Sequence, residues 1–579
     1  MKTKGILVSL FFLILIIGSM TAETLISGTI STSQTWTWEG SPYIVSGTVN
    51  IQGVSNPVVT IQSRTVVKFN AGAEIVVGHA SSSSLRGGIV TNGLITYPVR
   101  FTANQEMPTP GFWKHIKINA FTVDGQVNFS RAVFEYGGSV NGMLEVTGSF
   151  PQVTNCTFRY SQKMGLYHSS LNHSAVMSNT YFNNNGTYPL NWNQNYLYNL
   201  GTGCSFTNNG TQRILIVSQN ITTPQTWINP GIPYEPDNDI TVYTGNDPLL
   251  LANGTTIAFR TGARLIIGHP SSSSFIGCLQ ADGVTFTGIT QTPGSWAGIY
   301  ALRYINTAQT IIDNCTVSYA GGTYGGMNTA VNIGNYSGIN LTNCTISSSP
   351  GWGIYLGTNS NQATITGCNL VSNFRSVSLP APEAWRLGGG NTYAGTDDLR
   401  PEIRSGIIGT TCFLTKQPVP WFINGTVNVH GNGAPMLTIE DNSRLEFLSG
   451  SKITLGSTNS TNLAAGLNAT NVTFTADYEA QYRWQGMEFY RHSLASNLTN
   501  CQFRAFGSGN VAGLKLGGNQ TVTVDSCSFT IGNAYAIEAS SEAQFSLLDT
   551  VLLPFCRHVN ALDNDNCFYQ LKTVDDLRR

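Results

Sequence analysis

Charge is scarce in this chain. Only 11% of its 579 residues are Asp, Glu, Lys or Arg, against about 25% in a typical soluble domain. The 30 basic and 31 acidic residues nearly cancel. There is no basic surplus of the kind a nucleic-acid-binding protein carries. High net charge with low hydrophobicity, the mark of disorder, is missing too. No two cysteines stand in C-x-x-C spacing, which argues against a structural zinc site. After residue 22 no apolar run approaches the roughly 20 residues of a membrane-spanning helix. What the chain has instead is 61 glycines and abundant Asn, Ser and Thr. That composition points to short strands joined by many polar turns.

The first 22 residues read as an export signal. Lys2 and Lys4 precede an apolar run from Ile6 to Ile17, and Met20-Thr21-Ala22 offers a cleavage site. The run is short for a membrane anchor and right for a signal peptide. A secreted or extracellular-surface location follows as the expectation. The eleven cysteines would ordinarily suggest a disulfide framework in a small exported chain. Here most are expected to be buried free thiols, for reasons the repeats supply. Cys556 and Cys567, in the C-terminal tail, are the pair that could bridge.

Two periods are nested in the sequence. The longer is near 190 residues. The segments from Pro57 to Gly78, Asp247 to Gly268 and Ala434 to Gly456 align, placing Phe69, Phe259 and Phe447 in correspondence. Each is followed by Phe-Thr and then a tryptophan: Trp113, Trp296 and Trp484. The shorter period is 24, carried by Phe134, Phe158, Phe182 and Phe206. Cys344 and Cys368 are also 24 apart. A unit this short cannot bury a core alone, so stacking of successive units is required.

The long repeats also show which side chains face inward. Positions 59, 61, 67, 69, 75 and 77, with their counterparts 249, 251, 257, 259, 265 and 267 and 437, 439, 445, 447, 453 and 455, are all apolar. Their period of two is that of strands with one buried face. The positions between them drift. Lys68 becomes Ala258 and Glu446, and Glu74 becomes Arg264 and Lys452. Reversal of charge at one position suggests a solvated face rather than a site.

The pattern resembles the right-handed parallel β-helix superfamily, the pectate-lyase-like superfold. More narrowly it resembles secreted bacterial β-helix repeat proteins in which W-x-G-apolar follows an FT strand. That motif reads Trp296-Ala297-Gly298-Ile299 and Trp484-Gln485-Gly486-Met487, and departs in the first copy, Trp113-Lys114-His115-Ile116. The resemblance implies an all-β solenoid of about 24 residues per coil in three long repeats. The expected divisions are a signal at 1–22, repeats at 23–210, 211–400 and 401–555, and a tail at 556–579. The segment from Pro380 to Pro401 lacks the coil pattern and is the expected linker.

Candidate chemistry is sparse. Adjacent acids in the body are Asp397-Asp398, in the expected linker, and Glu440-Asp441, in a turn. Asp237-Asn238-Asp239 and Asp563-Asn564-Asp565 have oxygen-rich spacing that could touch calcium. Neither continues into a full calcium loop, and no other cofactor is expected. The carboxylate, histidine and arginine set of polygalacturonases is not present as a set. His79 and His269 share the context Gly-His-x-Ser-Ser-Ser-Ser, 190 residues apart, and read as polar turns. Trp192, Tyr196 and Tyr198, flanked by Asn and Gln, are the best candidates for a sugar-stacking group. The alternative is that they cover a coil edge.

The expected function is therefore a secreted, non-enzymatic β-helix: a cell-surface stalk, adhesin or glycan-contacting module. Its partner would be a polysaccharide or cell-surface glycan, with no nucleic acid and no membrane span once the signal is removed. The competing reading is a polysaccharide lyase or glycoside hydrolase. Three or more acids converging with Arg or Lys in one groove would sink the first reading in favour of the second.

Overall fold

The structure is a computed structural model. It describes residues 23–552 apart from 170–171, 324–327, 361–362, 396, 480, 519–520 and 541–542, and beyond these the backbone of 560–561 and 568–572. The export signal, Cys556, Cys567, Asp563 and Asp565 lie outside the described residues.

The chain is all-β, and its strands are short. They run mostly three to five residues, as in Val66–Phe69, Glu74–Val77 and Thr157–Arg159. Neighbouring strands pair in parallel, each with the strand one coil earlier and one coil later. The result is a β-helix-like solenoid of stacked parallel sheets. The helical segments among the described residues are short 3-10 turns, such as Gln194–Asn199 and Ala381–Arg386. No helix among them is long and apolar enough to cross a membrane. Contacts divide the chain into two compact units. One comprises residues up to Leu190 plus Gly203–Gln212, and the other Asn191–Thr202 plus Arg213 onward.

The eighteen inward positions are all buried, none more than 5% exposed. Parallel stacking places like on like. Within the first unit Phe134, Phe158, Phe182 and Phe206 are in register. Their rings stack at 4.5, 4.9 and 5.5 Å. The 24-residue step holds there but not throughout. Val67 pairs with Phe101, and Phe101 with Phe134, steps of 34 and 33. In the second unit Ile214 pairs with Tyr234, a step of 20. The strands keep register while the turns absorb the difference in length.

The tryptophans of the long repeats have one geometry. Trp113 stacks on Phe69 at 4.2 Å, Trp296 on Phe259 at 4.3 Å and Trp484 on Phe447 at 4.2 Å. Each indole N–H donates to a backbone carbonyl of the following coil: Glu135, Ser318 and Arg504. All three rings are fully buried.

The nine cysteines among the described residues are free thiols, eight of them buried. Cys315, Cys344 and Cys368 follow one another on successive coils, each with its thiol directed at backbone carbonyls. Burial pushes the thiols of Cys156 and Cys412 up to about 12.

Two sequence expectations require correction. The stretch from Pro380 to Pro401 is built into the solenoid of the second unit. Strand Arg375–Pro380 pairs in parallel with Glu402–Ile408, and Thr392–Ala394 pairs with Asn369–Val371. Its Pro, Gly and charge hide a 3-10 turn and a short strand. The charges at Glu74, Arg264 and Lys452 are not free surface either. Glu74 pairs with Lys114 at 3.2 Å, Arg264 with Asp239 at 2.5 Å and Lys452 with Glu488 at 2.9 Å. Each copy meets its charge with an opposite one, drawn from a different position in each repeat.

Candidate functional site

The reach from Asp397 to Arg400 carries the densest charge in the second unit. Arg400 is the hub. It chelates the Asp398 carboxylate with Nε at 2.9 Å and Nη2 at 3.1 Å. Its Nη1 donates to Glu446 at 2.7 Å and to Asp477 at 2.8 Å. The guanidinium lies 4.5 Å over the Phe422 ring. Arg444 pairs with Glu446 at 2.8 Å and reaches Glu479 at 3.6 Å. Glu479 is further held by Arg504 at 2.8 Å and by the Thr475 hydroxyl at 2.7 Å.

Arg400, Arg444 and their carboxylate partners line an open cleft of about 580 Å³, with Val419, Pro420 and the largely exposed Tyr478. Five carboxylates converge there: Asp397, Asp398, Glu446, Asp477 and Glu479. Burial pushes the Asp398 carboxyl up, but Arg400 outweighs it, aided by the field of Arg375, and the net shift is downward. Glu479 follows the same logic, with Arg504 and Thr475 outweighing burial. Burial pulls Arg400 down, and its three carboxylates more than reverse this. Asp398 and Glu479 are thus held in their charged form by guanidinium groups.

A shelf of rings adjoins it. Trp352, Tyr355 and Phe374, with Asn328, Pro350 and Arg375, frame a hollow of about 420 Å³. Arg375 stands over Trp352 at 5.1 Å and over Phe374 at 5.9 Å, and Arg404 covers Tyr355 at 4.1 Å. Trp352 pairs with Arg375 on the next coil, and Arg375 with Asp398 on the one after. Shelf and cleft are therefore consecutive on one face of this unit.

The residues singled out from sequence lie elsewhere. Trp192 is fully buried, and its Nε1 donates to the Tyr196 carbonyl at 3.0 Å. It offers no exposed face to a sugar ring, which corrects the exposure expected from its Asn and Gln neighbours. Those neighbours serve turn geometry: the Asn193 side chain caps the N–H of Asn195 at 2.9 Å, and the 3-10 turn folds over the indole. Tyr196 is half-buried. Tyr198 alone of the three is substantially exposed, at 49%.

Asp237 accepts from the backbone of Ser218 at 2.8 Å. Asp239 gives both oxygens to Arg264. A carboxylate spent on a guanidinium fits a calcium ion poorly. Among the described residues no three His, Cys, Asp or Glu side chains gather as a metal site. Glu440 and Asp441 cap a backbone N–H and an Asn side chain.

Sequence reasoning missed Glu446, Asp477, Glu479, Arg400 and Arg444. The available signal was Glu446, the one acid at a position that is Lys68 and Ala258 in the other repeats. In comparison with known proteins, no family model and no curated protein sequence matches this chain.

Proposed function

We propose that the protein is a secreted right-handed β-helix that contacts a polymeric glycan along the face running from Trp352 to Glu479. The observation that carries this reading is the aromatic shelf placed one coil from a paired-charge cleft. Phe374, half exposed, offers its ring to the apolar face of a sugar beside the part-buried Trp352 and Tyr355, and the cleft supplies hydrogen-bonding groups at fixed positions. A bare stalk gives no account of that juxtaposition. A repeated, rigid scaffold also suits multivalent contact with a repeating ligand.

The convergence of five carboxylates meets the criterion set against a non-enzymatic protein and favours cleavage as a second reading, so binding stands only because three of those acids are spent on Arg400. Hydrolysis needs one carboxyl kept protonated to serve as the acid. Asp398 and Glu479 are both held in the opposite sense. Arg400, bound by three acids, is equally ill-suited to take up a proton as a base. Binding is therefore the reading the chemistry supports better.

The test is incubation of the purified protein with a polysaccharide panel. Retention without new reducing ends or unsaturated products supports binding, and a joint Trp352→Ala, Phe374→Ala variant should lower retention at least about tenfold. Release of either product on any polymer would replace binding with catalysis.

A further inference from the structure

The glycine that ends one strand of each long repeat opens a turn. Gly78, Gly268 and Gly456 all have positive φ, at 71°, 79° and 77°. The next residue then caps the turn with its side chain. His79 Nδ1 accepts from the N–H of Ser81 at 3.1 Å and Ser82 at 2.9 Å. His269 Nδ1 accepts from Ser271 at 3.1 Å and Ser272 at 2.9 Å. In the third copy the hydroxyl oxygen of Ser457 accepts from Asn459 at 3.2 Å.

A ring nitrogen that accepts two N–H bonds carries no proton, so each imidazole bears its single proton on Nε2. If Nδ1 takes a proton from solvent, it becomes a donor. Both serine N–H groups then lose their acceptor and face an N–H of like polarity. A hydroxyl oxygen accepts at every pH in this range, so Ser457 has no such transition.

We propose that the turns at 79–82 and 269–272 are acid-opened latches, and that the turn at 457–459 is their pH-insensitive counterpart. Charged groups at the first latch include Arg86, which bonds the Ser83 carbonyl and Asp124, and Asp124 itself. Phe121 bridges His79 from the adjoining segment. Around the second, the rings of Tyr243 and Phe275 lie 5.8 and 5.5 Å from the imidazole. Tyr304 bridges His269 there and carries the Arg303 guanidinium at 5.2 Å. Acidification would free the serine runs in two copies and leave the third copy unchanged.

Amide hydrogen exchange on the full chain, corrected for intrinsic rates, tests this between about pH 7.5 and about pH 4.5. Protection at Ser81, Ser82, Ser271 and Ser272 should fall at least about tenfold on acidification, while that at Asn459 holds. The variants His79→Ser and His269→Ser, which install the residue of the third copy, should remove the effect at their own turns. Equal behaviour at all five amides, or an undiminished fall in the serine variants, overturns the proposal. Nitrogen resonances of labelled histidine in the unmodified protein give an independent reading. They should place the proton on Nε2 of His79 and His269 at neutral pH, and an Nδ1-protonated form of either would refute the latch.

Discussion

An indole such as Trp296 joins three coils. It lies flat on Phe259 of the coil before and donates to the Ser318 carbonyl of the coil after at 2.8 Å. The two contributions can be separated by substitution. Trp296→Phe keeps a ring but leaves the part-buried Ser318 carbonyl without this donor, at a cost of about 1 kcal/mol. Trp296→Ala also empties the space beside Phe259, and about 3–5 kcal/mol is expected. Urea unfolding followed by circular dichroism should rank the two in that order. Equal losses would mean that the hydrogen bond contributes nothing. At the same scale, Gly268 cannot be replaced cheaply. Its φ is 79°, and a Cβ would stand 2.2 Å from the Tyr304 carbonyl oxygen.

Ion pairs set the behaviour of individual strands. Glu135, buried in strand Ala132–Glu135, receives Arg100 from the coil before and Arg159 from the coil after. Burial raises its carboxyl, but the two guanidinium groups outweigh burial and hold it below the ordinary value of 4.5. A lowered folded value means that folding expels a proton. The resulting stability is complete above about pH 4.5 and is lost as pH falls through the folded value. Glu135→Gln should therefore cost on the order of 2 kcal/mol at neutral pH and flatten the acid limb of the stability curve. Urea midpoints at about pH 7 and about pH 3 would show whether the gap closes. In the cleft, Arg400→Ala should act more severely, because it removes the guanidinium shared by Asp398, Asp477 and Glu446, the last of which keeps Arg444.

The strands themselves were legible in the sequence because burial imposes a period of two, and all eighteen inward residues followed it. The cleft was not. Asp398 and Asp477 are 79 residues apart, and what unites them is one guanidinium from a segment with no coil pattern. Reversed charge at position 446 suggests solvation in the sequence alone, since a sequence shows a residue's own sign and not its partner's. Trp192 misled for a related reason. Asparagine beside an aromatic signals a polar neighbourhood, and a capped 3-10 turn supplies one without exposing the ring.

At the scale of the molecule, the free cysteines report on integrity. Thiols such as Cys156 and Cys412, pushed up to about 12 by burial, stay protonated and shielded from reagents. Of the described cysteines, only Cys204 is partly exposed. Thiol titration of the native protein should count far fewer reactive groups than titration in denaturant. Full labelling without denaturant would show that the coils open readily.

Stacking in which each strand pairs one coil up and one coil down also carries a consequence for biosynthesis. A finished coil exposes a complete row of unpaired N–H and C=O groups, and the coil that follows in the sequence has the matching register. Within each unit, every new turn of chain therefore finds its template already assembled and waits for nothing further downstream. Each unit can acquire its structure in the order in which it emerges.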